Sequence, residues 1–452
     1  MTGFLHRVRS RVGDFWWWSL CLFLVLRVGD VINAVVGLWL VPKYVGQDQL
    51  GAVLPLLQVA NVFGLPISIL VITFSKFLNQ YYMKGEYGKV KSLIRTFWGG
   101  VSVAITVGGL ASLLLLPHFF ERIRVVSGSL GFLILMTAIL STTAPAFTNG
   151  LHALKRFKTI TVMNLCCALI RFLVMLVSMP FRALSGYMLG QSAPYLFQIA
   201  WSAFMMRKEL LPSVKAEPFW REDGWKIVKY TMLNAISIGM TTICGAMMMM
   251  IVRQRLPEVE SAAYYMISRF SELASYAGMT VIVVIFPFAA ENHVQGRDSL
   301  RLILKTEAGL FAIGVVCVGG LAIFGRWILS LSPVWSGYSN YAPDMALLSA
   351  SLMMSTNVAV FTTCEVAAMR FFFLWYTIPI AIVQLAFFAC FTGYGFFEGI
   401  LSASALSWMD SLHIGTLRNY IWLNVVANLV TIFCCAVHLG MRKIISGRSS
   451  EN

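Results

Sequence analysis

The chain has 452 residues, of which 58% are hydrophobic and 12% charged, and its formal net charge is +15. Ordinary soluble domains are roughly 45–50% apolar and about 25% charged, so this composition excludes a soluble domain and indicates an integral membrane protein. Basic loops beside anionic lipid headgroups account for the positive charge, and no DNA or RNA motif accompanies it, so we expect no nucleic-acid partner.

Apolar runs long enough to cross a hydrocarbon core of roughly 30 Å recur along the chain. Their residues do not alternate strictly between apolar and polar, which disfavours a β-barrel and favours helices, whose backbone groups are satisfied internally in lipid. We therefore predict an all-α membrane protein with about twelve transmembrane spans, at residues 19–42, 50–74, 96–117, 129–150, 160–180, 184–206, 230–251, 261–288, 304–330, 343–365, 371–392 and 420–440.

The first span contains LVLRVGDVINAV, which places Arg27, Asp30 and Asn33 at intervals of three on one side of a helix. Ionisable groups at bilayer depth cost roughly 2.5–3.5 kcal/mol each and usually face a protein interior or a wet cavity. Arg27 and Asp30 are therefore candidate cavity residues. The alternative is a self-neutralising pair that only fixes helix packing.

Spans two and five add further polar candidates. Gln58 and Asn61 lie three residues apart in span two, and Asn164 and Arg171 lie seven apart on one face of span five. Arg171 has no acidic residue within four positions, so a local ion pair does not explain it.

Span six carries a stripe of polar residues, Gln191, Tyr195, Gln198 and Ser202. Hydrogen bonds between helices explain this stripe at least as well as contact with a substrate does. The segment after it, RKELLPSVKAEPFWREDGWKIVKY, is the densest charged stretch of the chain. We interpret residues 207–229 as a cytoplasmic linker that ends in an interfacial helix, with its tryptophans at headgroup depth. The linker separates an N-terminal lobe, 1–206, from a C-terminal lobe, 230–442, which a cytoplasmic tail, 443–452, follows.

Span eight repeats the pattern of span one. Tyr265, Arg269, Glu272 and Tyr276 follow one another at steps of four, three and four, which forms a single stripe. Tyr265, Arg269 and Glu272 are candidate cavity residues, and an ion pair that serves packing alone is again the alternative.

Lysine and arginine concentrate in alternate segments between the spans, among them 76–95 and 207–229, as they do in cytoplasmic loops. Because the number of spans is even, both termini are predicted to be cytoplasmic. The nine cysteines lie in or at the ends of spans, and the six histidines are scattered and form no evident pair. We therefore expect neither a disulfide framework nor a metal site, and no cofactor.

The two halves of the chain show a weak internal repeat. Residues 41–95 can be laid over residues 252–306 without a gap. This alignment sets the polar pair of span two on that of span eight, Gln58 on Arg269 and Asn61 on Glu272. A second correspondence sets HALKRF, 152–157, against VAAMRF, 366–371. Half-to-half repeats are common in transporters, although any two helical hairpins share some hydropathy.

Three segments carry a family resemblance: PKYVGQDQLGAVLPLLQV after span one, SKFLNQYYMKGEYGKVKSLIR with its counterpart AAENHVQGRDSLRLILK after spans two and eight, and NGLHALKRFKTITVMNL between spans four and five. In order and spacing they resemble the multidrug/oligosaccharidyl-lipid/polysaccharide exporter (MOP) superfamily, and within it the flippases of polysaccharides and lipid-linked oligosaccharides. The resemblance covers nearly the whole chain. Pro257 stands where the family's turn after span seven has glycine, which leaves the subfamily open.

The resemblance implies two six-helix lobes related by pseudo-two-fold symmetry around a central cavity, and a transporter, not an enzyme, that works by alternating access. It implies a lipid-linked glycan of the undecaprenyl-diphosphate type, moved from the inner to the outer leaflet of the bacterial cytoplasmic membrane. Membrane lipids and polysaccharide assembly proteins are the further partners that it suggests.

The in-span arginines suit such an anionic headgroup. Arg27, Arg171 and Arg269 outnumber Asp30 and Glu272, so a cavity lined by all five keeps a positive charge. Guanidinium donors match phosphate oxygens. In the lipid II branch of the superfamily, cavity arginines in helices one and eight have this role, and Arg27 and Arg269 lie in those helices here.

Two alternatives remain open. A cation-coupled drug or metabolite antiporter of the same superfamily needs carboxylates that bind a proton or sodium, and each deep carboxylate here has an arginine three residues away. A membrane glycan polymerase or ligase needs reactive groups at one membrane face. The outer loop 394–420 offers Glu398, Asp410, His413 and Arg418, for which an ordinary solvated loop is the simpler explanation.

Overall fold

The computed structural model describes residues 14–122, 130–153, 156–207, 215–294, 300–368, 370–391, 404 and 416–448. Every regular element in these residues is helical. Twelve helices are long, and we number them α1 (Asp14–Val35), α2 (Val53–Met83), α3 (Tyr87–Arg122), α4 (Leu130–Ala153), α5 (Phe157–Ser178), α6 (Ala183–Met205), α7 (Trp220–Arg255), α8 (Glu258–Val294), α9 (Leu300–Ser330), α10 (Ala342–Ala367), α11 (Leu374–Phe391) and α12 (Leu417–Arg448). Short helical pieces connect some of them, at Val36–Leu40, Val41–Tyr44, Gln47–Leu50, Pro333–Ser336 and Ser339–Tyr341.

The prediction of an all-α protein with twelve membrane-length helices is confirmed, because each predicted span coincides with one of these helices. The largest boundary difference is at α7, which begins at Trp220 and so includes the predicted interfacial helix. Glu222 and Asp223 lie in its first turn, where the helix dipole favours acidic side chains. A short helix predicted within 394–420 falls almost wholly outside the described residues.

In the described part of the chain, eight helices are long and apolar enough to cross a membrane, and the apolar stretch Leu374–Phe387 of α11 is a shorter candidate. The chain is therefore a multi-pass membrane protein. Trp220 and Trp225, which the sequence places at headgroup depth, are both exposed on α7.

The helices form two compact units. Unit 1 comprises Met1–Val45 and Pro55–Ala246, and unit 2 comprises Gly46–Leu54 and Met247–Asn452. In unit 1, α6 packs on α4 and α5, and α1 packs along α5. In unit 2, α10 packs on α8, α9 and α12. The helix α7 contributes to both units, and the lobe boundary within 207–229 stays a prediction.

The turn PKYVGQDQLGA belongs in part to unit 2, where it packs on the start of α8. Arg253, at the end of α7, donates from Nη2 to the carbonyl oxygen of Asp48 at 2.6 Å. A Cβ atom at Gly51 would collide with the side chain of Ser261. Glycine is therefore required at the point where this turn approaches α8.

The two Arg–Phe turns that the sequence repeat pairs have the same backbone hydrogen bond. The Arg156 N–H after α4 donates to the Leu151 carbonyl at 3.0 Å, and the Arg370 N–H after α10 donates to the Glu365 carbonyl at 2.8 Å. Each bond joins the equivalent pair of residues in its own unit, which supports the repeat.

Candidate functional site

The polar stripe of α1 forms an ion pair in unit 1. Arg27 Nη1 lies 2.9 Å from Asp30 Oδ2, and both side chains are partly exposed. The pair has no net charge, so its geometry fits both of the roles that the sequence left open, packing and cavity lining.

Arg171 of α5 joins three helices of unit 1. Its Nη1 donates to Asn33 Oδ1 on α1 at 2.8 Å, and its guanidinium carbon lies 5.8 Å from the ring centre of Tyr195 on α6. Helices α1 and α5 approach closely because Gly29 faces Ala168: a Cβ atom at Gly29 would lie 3.8 Å from the Ala168 Cβ.

Asn164 is half-buried on α5, two turns before Arg171. The contacts of Gly29 with Ala168 and of Asn33 with Arg171 show that α1 and α5 run parallel in one register. In that register Asn164 lies close to the level of Arg27. Of the predicted residues of spans one and five, Arg171 therefore lies where these two helices pack together, and with Asn33 and Tyr195 it forms the Arg171 cluster.

This cluster carries a positive charge. Arg171 contacts the neutral side chains of Asn33 and Tyr195 and, within the described residues, has no carboxylate partner. Its buried Nε atom has no hydrogen-bond partner there. Arg27 and Asp30 offset each other, so among the charged candidates of unit 1 the charge of Arg171 is the one without a described counter-ion.

Gln58 and Asn61 of α2 form a pair of their own. Asn61 Nδ2 donates to Gln58 Oε1 at 3.3 Å. Among the described residues no hydrogen bond or ion pair connects this pair with Arg171. The two residues, which the sequence places three apart, therefore contact each other. Their role as cavity residues stays a prediction.

The three candidates of span eight come together in unit 2. Arg269 Nη1 lies 2.7 Å from Glu272 Oε2, and the Arg269 guanidinium carbon lies 5.2 Å from the ring centre of the buried Tyr265. Ser271 donates from Oγ to the Met345 carbonyl at 2.9 Å, which ties α8 to α10 beside the pair. This second cluster is neutral.

Sequence reasoning missed the partners of a buried carboxyl group in unit 2. Glu365 Oε2 lies 3.9 Å from His438 Nε2 on α12, and the hydroxyl of Tyr376 on α11 lies 3.3 Å from His438 Nδ1. No spacing signal could have revealed the contact, because the three residues lie on different helices.

A metal site finds no support in the described ranges: no group of three or more His, Cys, Asp or Glu residues there could hold an ion. No protein-family model matches the chain, and no curated protein matches its sequence.

Solved structures match nearly the whole chain. An inward-facing multidrug resistance MATE family transporter of the MOP superfamily is 11% identical with a TM-score of 0.58, over 91% of this chain and 99% of that one. A MATE transporter of Vibrio cholerae in its bent form is 12% identical with a TM-score of 0.58, over 97% of this chain and 99% of that one.

A MOP superfamily transporter of Pyrococcus furiosus is 11% identical with a TM-score of 0.61, over 96% of this chain and 98% of that one. It is described as having a binding pocket of reversed polarity that suggests a different function. At such low identities the likeness shows the fold, and this chain has the fold of the MOP superfamily transporters.

Proposed function

We propose that the chain is a transporter of the MOP superfamily that moves its cargo across the membrane by alternating access. The shared fold, the motif segments and the polar clusters within membrane-length helices support this proposal. The solved structures that the chain resembles are transporters. Of the candidates for an enzymatic function, Glu398, Asp410 and His413 lie outside the described residues, and Arg418 forms an ion pair with Asp344 at 2.7 Å.

The surroundings of Arg171 are the observation that favours an anionic cargo. Its guanidinium is permanently charged, and its described partners are an amide oxygen and an aromatic ring, so a bound anion meets no competing carboxylate. Phosphate oxygens are well matched to such a fork of donors. This supports a first candidate, a flippase that moves a lipid diphosphate-linked oligosaccharide from the inner to the outer leaflet.

A cation-coupled drug or metabolite antiporter is the second candidate, and the structural comparisons favour it over the flippase because the similar structures include MATE transporters. Asp30 and Glu272 are the carboxylates that a coupling cation would use. Each lies within 3 Å of an arginine, at 2.9 and 2.7 Å, so the cation would compete with that arginine. The reversed pocket polarity described for the Pyrococcus protein argues that this fold does not dictate one pocket charge.

Vesicles that contain the purified chain distinguish the two candidates. One assay follows a fluorescently labelled undecaprenyl-diphosphate sugar between the leaflets, and the other follows ethidium, a fluorescent organic cation, under an imposed proton or sodium gradient. Lipid-sugar movement that Arg171→Ala slows about tenfold or more supports the flippase. Gradient-driven ethidium movement that is indifferent to Arg171→Ala supports the antiporter, and movement of neither cargo contradicts both.

A further inference from the structure

The end of unit 2 where α10, α11 and α12 meet holds an ionisable cluster to which neither candidate function assigns a role. Glu365 is 1% exposed and His438 is 6% exposed. They face each other at 3.9 Å, and Tyr376 contacts the other ring nitrogen of His438 at 3.3 Å. Burial of ionisable groups is costly and contributes little net stability even when they are paired, so packing alone does not account for this choice of residues.

In unit 1, the position equivalent to Glu365 has a side chain that only packs against its neighbours. Superposing the two Arg–Phe turns along the sequence sets Glu365 on Leu151 and Phe361 on Phe147. Leu151 is 0% exposed and belongs to an apolar cluster with Phe147, Ile160, Met163 and Met206. Where unit 1 buries an aliphatic side chain, unit 2 therefore buries a carboxyl group beside an imidazole.

Both ring nitrogens of His438 have contacts that suit a side chain which gains and loses a proton. Nδ1 faces the Tyr376 hydroxyl, which can donate to a neutral ring or accept from a protonated one. Nε2 faces Glu365 at 3.9 Å, longer than the roughly 2.7–3.2 Å of an N–H···O hydrogen bond. The distance between Nε2 and the carboxylate can therefore shorten when the ring carries its second proton.

Within the described residues, further titratable and charged groups near the pair are Tyr376 on α11, Cys434 and Cys435 on α12, Glu307 on α9, and Arg370 in the turn after α10. Phe361 and Phe372 flank the His438 ring edge-on, with ring centres 5.5 and 5.1 Å away. Thiols and phenols are ordinarily neutral near pH 7. Histidine ordinarily changes charge between about pH 5 and 8.

A polar stripe continues from this cluster along α12, at steps of three or four residues. It consists of Cys435, Thr431, Asn428 and Asn424. Asn428 Nδ2 contacts Ser351 Oγ of α10 at 3.2 Å, and Gln384 Nε2 of α11 donates to Asn424 Oδ1 at 2.8 Å. The interior of unit 2 is therefore polar between the helices that also hold the Glu365 and His438 side chains.

We propose that Glu365, His438 and Tyr376 form a proton-binding site that makes transport depend on pH; the link to transport, but not proton binding itself, rests on the proposed function. The proton resides on His438, which then faces the Glu365 carboxylate as an ion pair. Loss of the proton leaves that carboxylate buried beside a neutral ring. The backbone carbonyl of Glu365 also accepts the N–H of Arg370, so the change in protonation occurs where α10 ends and the turn to α11 begins.

Nuclear magnetic resonance of the purified full chain, labelled at its histidine rings, tests the site without any cargo. The His438 resonance is the one that disappears in His438→Asn. We expect it to titrate between about pH 5 and 8. We expect its midpoint to move by at least about 0.7 pH unit in Glu365→Gln, the effect of a unit charge about 4 Å away even in bulk water.

The exposed His118 on α3 is the internal reference, because it lies in unit 1 and its resonance should be the same in all variants. A His438 resonance that does not titrate, or that titrates alike with and without Glu365, overturns the proposal. Glu365→Leu introduces the residue that unit 1 carries at the equivalent position, and it provides the same comparison if the glutamine variant fails to fold.

The vesicle assay then tests the coupling. Transport of the cargo that the chain moves, the labelled lipid sugar or ethidium, is measured from about pH 5 to 8. We expect a step in the wild-type rate that Glu365→Gln and Glu365→Leu flatten. An unchanged profile in both variants overturns the coupling. Failure of the wild-type chain to move either cargo contradicts the proposed function and leaves the titration result standing.

Discussion

Arg171 differs from the other two in-span arginines in the partners that it meets. Arg27 and Arg269 each contact a carboxylate three residues further along the same helix, at 2.9 and 2.7 Å. Arg171 instead reaches across to the Asn33 amide of a neighbouring helix and to the Tyr195 ring. An anion that binds near these residues would gain most from Arg171, because its charge has no described counter-ion.

We expect Arg171→Ala to weaken binding of inorganic pyrophosphate by the purified chain about tenfold or more, since charged hydrogen bonds are worth roughly 1.5–3 kcal/mol. Arg171→Lys should lose less, because it keeps the charge but not the planar fork. Titration calorimetry measures both. Arg182→Ala, at an exposed arginine just beyond α5, is the control. Equal affinities for wild type and Arg171→Ala would contradict the role of this arginine.

The Arg269 and Glu272 pair permits a second test at this scale. Each single change to glutamine should lower the apparent Tm, because each removes one charge of a partly buried ion pair. The double variant should lose less than the sum of the two, with a coupling of about 0.5–1 kcal/mol. Thermal unfolding in detergent of the wild type, the two single variants and the double variant measures these losses. Strictly additive losses would mean that the two side chains do not interact in solution.

At the scale of the elements, the segment that leads into α7 contacts the end of α2 and the start of α3, on either side of the turn that joins these two helices, within unit 1. The Glu217 N–H donates to the Gly88 carbonyl at 3.1 Å. The Tyr81 hydroxyl of α2 donates to Asp223 Oδ2 at the start of α7 at 3.0 Å. The charged stretch that the sequence identifies as a linker is thereby attached to unit 1 at the point where it enters α7.

The turn itself depends on Gly85, whose φ of 75° lies in the left-handed region. No atom lies within 4 Å of a Cβ built there, so Gly85→Ala should destabilise the chain through backbone conformation alone, by about 1–2 kcal/mol. Gly85→Asn should cost less, since asparagine tolerates this region. Gly309→Ala in α9, where the Cβ also meets open space, is the control and should not lower the Tm. Equal Tm values for Gly85→Ala and Gly309→Ala would contradict the turn geometry.

For the whole molecule, the twelve helices and the distribution of basic residues predict which turns lie on which side of the membrane. The turn after α2, with Lys84 exposed, follows an even number of spans, and the turn after α5, with Phe181 exposed, follows an odd number. The basic residues predict that the first of these turns is cytoplasmic. The two turns are therefore expected on opposite faces.

Cysteine labelling tests this orientation in a background from which the nine native cysteines have been removed. A membrane-impermeant maleimide should label Phe181→Cys in intact cells and Lys84→Cys only after the membrane is permeabilised. The reversed result would invert the proposed orientation of the termini. Labelling of both positions in intact cells would contradict the span count between them.

Some contacts of the candidate site could be predicted from the sequence, because they join residues that are close together along one helix. The ion pairs of Arg27 with Asp30 and of Arg269 with Glu272 form between residues three apart, and helical periodicity alone brings such side chains together. The contact of Gln58 with Asn61 follows from the same spacing. Whether any of these side chains touches cargo stays a prediction.

The sequence by itself determined the helical class, the twelve spans and these local pairs, because the hydrocarbon core imposes length and backbone satisfaction on every span separately. Only the tertiary structure decided that Arg171 meets Asn33 and that Glu365 meets His438. Such contacts depend on which helix faces pack side by side and in which register. No spacing within a single helix encodes that choice.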